Sequence, residues 1–220
     1  MSSEKRPDRK VVLVLGQTGT GKSTLTKIIR KKFHRVITLD PMEEYDGQVV
    51  NSYDEFIDFF VNDPPRSFNL VLRFTTQEEI LYTFKSVWDI QDVLFVVEEI
   101  ELYLDPRDPN ADFDRLISFG RHHNIHLLGI SRRFVEISTK FRAQCTSIFT
   151  FKQFLRRDLD ALEDMGFNPE QVKNLEGVKY PQAPVDGVNF LTYGEPYDKI
   201  EFRSREGKKV IPARTGSFFP

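Results

Sequence analysis

Gly16-Gln17-Thr18-Gly19-Thr20-Gly21-Lys22-Ser23 puts three glycines, one ammonium group and three hydroxyls, the last on Ser23, into eight positions. Glycines let the backbone wrap tightly with its N–H groups turned inward, where they can donate to phosphate oxygens. Lys22 can bridge the β- and γ-phosphates of ATP or GTP, and the Ser23 hydroxyl can ligate Mg²⁺. The spacing is that of a Walker A motif or P-loop, with Thr24 the last residue of the expected phosphate-binding set. A chance glycine-rich turn is the competing explanation. The flanks weigh against it, because the run follows a strand pattern and opens a helical one, whose N-terminus adds partial positive charge and free N–H donors.

A second chemical signal lies at Val93-Leu94-Phe95-Val96-Val97-Glu98-Glu99, an apolar run that ends in two carboxylates. Beside a P-loop, the first acid is expected to hold Mg²⁺ through water and the second to polarise an attacking water, as in a Walker B strand followed by a catalytic glutamate. Glu98 is therefore assigned to the metal and Glu99 to the water, which favours hydrolysis over transfer to a small acceptor. The alternative is that both acids begin an exposed helix, as nearby Glu101 and Asp105 would allow.

The elements that must position these groups follow from periodicity. Val11–Leu15 reads as a buried strand before the P-loop. Leu25, Ile28 and Ile29 have helical spacing over Ser23 to about Phe33. Further strands are expected at Val36–Leu39, Leu70–Phe74, Val93–Val97, Ile125–Ile130 and Ser147–Phe151. Helices are expected at Tyr53–Val61, Gln77–Trp88, near Phe113–His122 and Val135–Phe141, and at Asp158–Met165. Strands alternating with helices imply an α/β fold with a mostly parallel sheet covered on both faces. Val188–Tyr193 and Lys199–Arg203, around a Gly194-Glu195-Pro196 turn, suggest a C-terminal β-hairpin followed by a basic tail. The expected organisation is a basic segment at 1–10, a core at 11–180, and the hairpin and tail at 181–220.

Composition narrows the class. The chain has 220 residues, 40% hydrophobic and 29% charged, with a net charge of −2, as in an ordinary globular domain without a global pull toward polyanions. The charge is uneven: residues 41–63 carry seven acids and no Lys or Arg, whereas 121–157 carry eight Lys or Arg and the single acid Glu136. That asymmetry is either a solvated surface or a face that meets a polyanion. One cysteine, Cys145, excludes an intramolecular disulfide and fits a reducing compartment. With no apolar run long enough to span a bilayer and no signal-peptide pattern, the cytoplasm is the expected location. His122, His123 and His126 have no further His or Cys to complete a metal site. Trp88 and the phenylalanines are expected in the core.

Read together, several segments resemble the HerA–FtsK superfamily of DNA-pumping ATPases. Leu39-Asp40-Pro41-Met42-Glu43-Glu44-Tyr45 is similar to the Asp-Pro-x-x-Glu-Tyr turn of that group. Gly120-Arg121, the apolar run Ile125–Ile130 and Ser131-Arg132-Arg133 resemble its Gly-Arg, strand, Ser/Thr-Gln-Arg pattern. Phe141-Arg142-Ala143-Gln144-Cys145 and Arg157-Asp158-Leu159-Asp160-Ala161-Leu162 follow in the family's order. The resemblance covers about residues 10–193. It implies a RecA-like P-loop NTPase of the ASCE type, ATP and Mg²⁺ as cofactors, and a ring of five or six subunits with ATP at each boundary. Arg121 or Arg142 would then reach the neighbour's γ-phosphate as an arginine finger. Arg132 replaces the family's usual sensor Gln, so a group that donates and accepts becomes one that only donates and carries charge. Glu98 replaces the usual Asp with one more methylene.

A bare motor domain is expected, without the N-terminal barrel, membrane segments and winged-helix domain of large members, and in size and motif order it resembles the genome-packaging ATPases of tailless icosahedral viruses, especially those with an internal membrane. The resemblance implies double-stranded DNA as partner, a capsid vertex or portal protein beside it, and the host cytoplasm or the virion as location. Arg132, Arg133, Lys140, Arg156, Arg157, Lys208, Lys209 and Arg214 are available for DNA phosphates. Competing classes are a small-molecule or nucleotide kinase, an ATPase for virion assembly or extrusion, and a regulatory nucleotide binder.

Overall fold

Seven strands that all run the same way make the frame on which the loops of the site hang. The computed structural model describes residues 9–61, 64–104 and 110–175, and the backbone of 191–194, 202–203 and 209–210. In chain order the elements are β1 (Val11–Leu15), α1 (Lys22–Arg30), β2 (Arg35–Leu39), β3 (Gln48–Val50), α2 (Tyr53–Val61), β4 (Phe68–Leu72) and α3 (Gln77–Ile90). Then follow β5 (Val93–Val97), α4 (Ala111–Phe119), β6 (Ile125–Ser131), α5 (Thr139–Gln144), β7 (Ser147–Thr150), α6 (Arg156–Glu163) and α7 (Pro169–Asn174), with β8 (Leu191–Gly194), β9 (Phe202–Arg203) and β10 (Lys209–Val210) last. Short 3₁₀ turns occupy Ile100–Tyr103, Gly120–His123 and Phe134–Glu136.

The sheet order is β3-β4-β2-β5-β6-β1-β7-β8. Strands β1 to β7 pair in parallel, and β8 adds to β7 antiparallel. β1, β5 and β6 are buried along their whole length, which is why they read as unbroken apolar runs rather than alternating ones. Alternate residues serve two layers. Val12, Val14, Leu94, Val96, Leu128 and Ile130 pack with Leu25 and Ile29 of α1. Leu13, Phe95 and Leu127 pack on the other face with Phe84 and Val87 of α3 and Leu116 of α4. The phenylalanines are largely core, with Phe84 stacked on Phe113 at 4.5 Å between centroids. Phe119 and Phe154 are exposed. Trp88 is half-buried, with the Arg115 guanidinium 3.7 Å from its ring centre.

Some elements differ from the sequence expectation. The hairpin partners are different: Leu191–Gly194 joins the main sheet against β7, and Phe202–Arg203 pairs with Lys209–Val210. The open edge of β7 offers unpaired backbone groups that a following strand can satisfy, and turn chemistry between 194 and 196 does not register that edge. The helix expected near Phe113–His122 ends at Phe119 and tightens into a 3₁₀ turn. The one expected near Val135–Phe141 divides into a 3₁₀ turn and α5, whose start is capped by Ser138. β3 was not expected, because three residues with two exposed give almost no pattern. α7 was not expected either, although Asn168 caps it and Pro169 stands at its first turn.

Candidate nucleotide site

Parallel register brings the carboxyl ends of four strands to one edge. Leu15 of β1 lies beside Ser131 of β6, Gly129 of β6 beside Val97 of β5, and Val97 beside Leu39 of β2. The segments that follow are therefore neighbours: Gly16–Gly21, Arg132-Arg133, Glu98-Glu99 and Asp40–Tyr45. Ligands of open parallel sheets bind outside this edge. β6 lies between the strand before the P-loop and the strand before the two acids.

The loop has the backbone the motif calls for. Gly19 and Gly21 take φ of 77° and 107°, a region open to glycine and strained for other residues. Gly16 is needed for closeness, because a Cβ there would lie 2.6 Å from that of Phe151. Gly21 opens α1 with no side chain capping it, so the first N–H groups of that helix are left for a ligand. Thr20 is buried and donates to the Gln17 carbonyl at 2.7 Å, which cinches the turn, whereas Thr18, Gly19 and Thr24 face solvent. Lys22 is half-buried and donates to the same carbonyl at 3.3 Å. Burial lowers its pKa, while Glu98, Glu99 and Glu44 pull it back up.

The two acids have different surroundings. Glu98 is 6% exposed and accepts a hydrogen bond from the Tyr45 hydroxyl. Burial, with Glu44 and Asp40 adding repulsion, pushes its carboxyl up to about 7, against the pull of Tyr45 and Lys22. Glu99 takes the left-handed conformation, φ 47°, and is gripped by Arg132, whose Nε and Nη2 both donate to one carboxylate oxygen at 3.2 and 3.1 Å. Behind it, burial pushes Glu101 up to about 7. A 3₁₀ turn does begin at Ile100, but Glu98 is buried and Glu99 half-buried, so the pair does not open an exposed helix.

The Ser23 hydroxyl donates to Glu44. Hydroxyl and carboxylate oxygens with excess negative charge suit a hard cation such as Mg²⁺. Glu98 is raised mainly by burial, and Glu44 and Asp40 add negative charge around it, so the Ser23 hydroxyl and the Glu98 carboxylate are oxygen donors of the kind this ion takes. Among the described residues no group of three or more His, Cys, Asp or Glu could hold an ion by itself. The histidines serve elsewhere: His126 accepts the Lys10 N–H at 2.9 Å, and His123 packs on Trp88.

The expected arginines separate. Arg132 is at the site. Arg121 is exposed in the 3₁₀ turn before β6, at the opposite edge of the sheet, roughly 20 Å from Ser131 by strand rise. Arg142 is half-buried over the Phe134 ring at 4.9 Å and reaches Thr139 at 3.4 Å. Four of the cations expected to be available for DNA are paired: Arg132 with Glu99 at 3.1 Å, Arg133 with buried Asp158 and with Glu136, both at 3.1 Å, Lys140 with Asp114 at 2.8 Å, and Arg156 with Asp160 at 3.7 Å. Arg156 and Arg157 are exposed. The side chains of Lys208, Lys209 and Arg214 lie outside the described residues.

Two features escaped the sequence reading. Gln153, fully buried just past β7, accepts from the Gln17 side chain at 3.1 Å and donates to the Arg132 carbonyl at 3.0 Å, tying the P-loop to the end of β6. No sequence signal marks a lone Gln for this. The other is a basic groove of about 460 Å³ lined by Lys27, Arg30, Lys31 and His34, visible in sequence as the run Lys27–Arg35.

Comparison with known proteins agrees with this architecture. No curated protein matches the chain. Among solved structures, the genome packaging NTPase B204 of Sulfolobus turreted icosahedral virus 2, in complex with sulfate, superposes with a TM-score of 0.63 at 15% identity, covering 94% of this chain and 98% of that one. Its complex with ATP-γS gives 0.60 at 15% identity, covering 77% and 88%. B204, the DNA-packaging ATPase of Sulfolobus turreted icosahedral virus, gives 0.56 at 16% identity, covering 94% and 99%. At these identities the likeness is one of fold: a RecA-like P-loop sheet. The family model described as "Helicase HerA, central domain" matches residues 9–142. With that match over more than half of the chain, and with the P-loop, the acid-bearing strand and the strand between them in place, the protein belongs to the HerA central-domain family of P-loop ATPases.

Proposed function

We propose that this protein hydrolyses ATP to drive double-stranded DNA through a ring of its own copies, packaging a viral genome into a preformed capsid. The observation that carries the hydrolytic part is the convergence of the P-loop and the Glu98-Glu99 pair at one sheet edge, across the intervening β6. The DNA part is supported by membership of the HerA family and by the fold shared with a genome packaging NTPase.

The steps follow from the chain's own groups. The free N–H groups at the start of α1 and the loop amides donate to the phosphates. Lys22 exchanges the Gln17 carbonyl for phosphate oxygens. A magnesium ion on Ser23 and Glu98 would neutralise charge on the β- and γ-phosphates. Glu99 orients a water and takes its proton, for which its carboxylate must leave Arg132. Arg132, so released, is free to turn to the γ-phosphate. Arg121 is too far from its own P-loop to act there, which suits a finger offered to the next subunit, whereas Arg142 is the weaker choice because it is bound to Phe134 and Thr139. Arg156 and Arg157 are exposed for DNA phosphates. Host cytoplasm or virion is the implied location, with a capsid vertex or portal protein as a further partner. Among the described residues no helix is long and apolar enough to cross a membrane.

Phosphate release from ATP, measured with and without duplex DNA, tests the proposal. Stimulation by duplex is expected. Phosphate appearing on a small acceptor would replace the translocase with a kinase, and DNA-indifferent hydrolysis would remove the DNA part.

A further inference from the structure

The turn after β2 is built more firmly than a connection requires. Asp40 is fully buried, and its two carboxylate oxygens accept the N–H groups of Glu44 and Tyr45, each at 3.0 Å. Its own N–H donates to the Leu72 carbonyl at 3.0 Å, which pins the turn to β4. Glu43 takes φ 56° to complete the bend and pairs with Arg73 at 3.4 Å. The Tyr45 ring is buried with the Arg30 guanidinium 4.8 Å from its centre. From this anchored turn two side chains reach the site: Glu44 accepts from the Ser23 hydroxyl, and the Tyr45 hydroxyl donates to Glu98. One turn thus engages both expected metal ligands.

We infer that Glu44 and Tyr45 are positioning residues for the cation of the nucleotide site, Glu44 acting through Ser23 and Tyr45 through Glu98. A serine hydroxyl has one proton and two lone pairs. With its proton given to Glu44, the Ser23 oxygen can offer a lone pair to Mg²⁺. With one Glu98 oxygen held by Tyr45, the other is presented in a fixed direction. Groups that orient metal ligands in this way commonly govern metal affinity by about 10–100-fold. Glu44 therefore accepts the hydrogen bond of the P-loop hydroxyl from outside the acid pair, which the Glu98-Glu99 pattern does not foretell.

This inference rests on the nucleotide site proposed above. The experiment is equilibrium binding of a fluorescent nonhydrolysable ATP analogue as Mg²⁺ is raised, with a parallel titration in EDTA, for wild type, Glu44→Ala, Glu44→Gln and Tyr45→Phe. Glu44→Ala is expected to raise the Mg²⁺ midpoint by about 10–100-fold while leaving affinity in EDTA unchanged. Glu44→Gln keeps an acceptor oxygen and should recover part of the loss, a rescue that a merely structural role would not give. Tyr45→Phe keeps the buried ring and should raise the midpoint as well. Because Glu44 is exposed, Glu44→Ala should melt with the wild type, so a fold defect does not imitate the effect. A Glu44→Ala midpoint at or below that of wild type would overturn the inference, the lower value making Glu44 a competitor of the cation. Wild-type binding that ignores Mg²⁺ would instead take down the metal site itself, and the inference with it.

Discussion

Lys22 holds its charge in a half-buried turn where desolvation opposes it and three carboxylates favour it. A charge-assisted hydrogen bond of this kind contributes about 1.5–3 kcal/mol, so Lys22→Ala should weaken the triphosphate about 10–100-fold in a nucleotide titration. Glu99→Gln should bind ATP as wild type does and lose turnover by about 100-fold or more, the usual worth of a general base. Unchanged single-turnover hydrolysis in Glu99→Gln would remove it as the base. In the proposed mechanism Arg132 adds a condition: the Glu99 oxygen that accepts its two N–H groups must be freed before it can face a water. Lys22, Ser23, Glu98 and Glu99 were legible in sequence because their signals are local spacings. Glu44, although inside a turn noted for its resemblance, had no readable role. Gln153 had no signal at all, since its partners lie 136 and 21 residues away.

At the level of elements, the site edge is aligned by β6, and β6 is tied at its other end by the segment before β1. Arg9 donates to the Ile125, Ile117 and Leu116 carbonyls at 2.9, 2.8 and 2.6 Å, closing the end of α4 against the start of β6. His126 accepts from Lys10 there, with Phe33 5.0 Å away between ring centres. Burial first, then Arg9 and Lys10, lower His126 to about 4, against a small opposing pull from Asp92. The neutral ring is the form that folds, so His126 stabilises the fold fully above pH 6.5 and this contribution is lost as pH falls toward 4. The shift corresponds to about 3 kcal/mol. Chemical denaturation between pH 7 and 4 should show this loss, and His126→Gln should flatten it. A wild-type profile that does not fall below pH 6.5 would contradict the assignment. The strands of the edge were legible because each is an unbroken buried run. β3 was not, because three residues paired on one side have no period to read.

For the whole molecule, the placement of Arg121 matters most. It stands at the amino edge of the sheet, close enough to Arg9 for its charge to join burial in lowering that group to about 10. The P-loop opens at the carboxyl edge. Only head-to-tail association of copies can bring the two together, and such interfaces close into rings when the rotation allows. Arg121→Ala is expected to bind ATP normally as the separate chain and to lose assembly-dependent turnover by about 10³-fold, the low end of finger effects. Mass measurement with a nonhydrolysable analogue and DNA, beside steady-state ATPase, checks both halves. Normal assembly with normal turnover would dismiss Arg121 as the finger.

Sequence alone determined the phosphate loop, the acid pair and the alternation that makes a parallel α/β sheet, because each is written in neighbouring residues. Tertiary structure decided which strands became neighbours, and hence that β6 separates the P-loop from the acids, that β8 completes the sheet rather than folding onto β9, and that Glu99 meets Arg132. Pairing of strands and of charges depends on distances through space. A one-dimensional pattern fixes those only where the backbone itself carries one residue to the next.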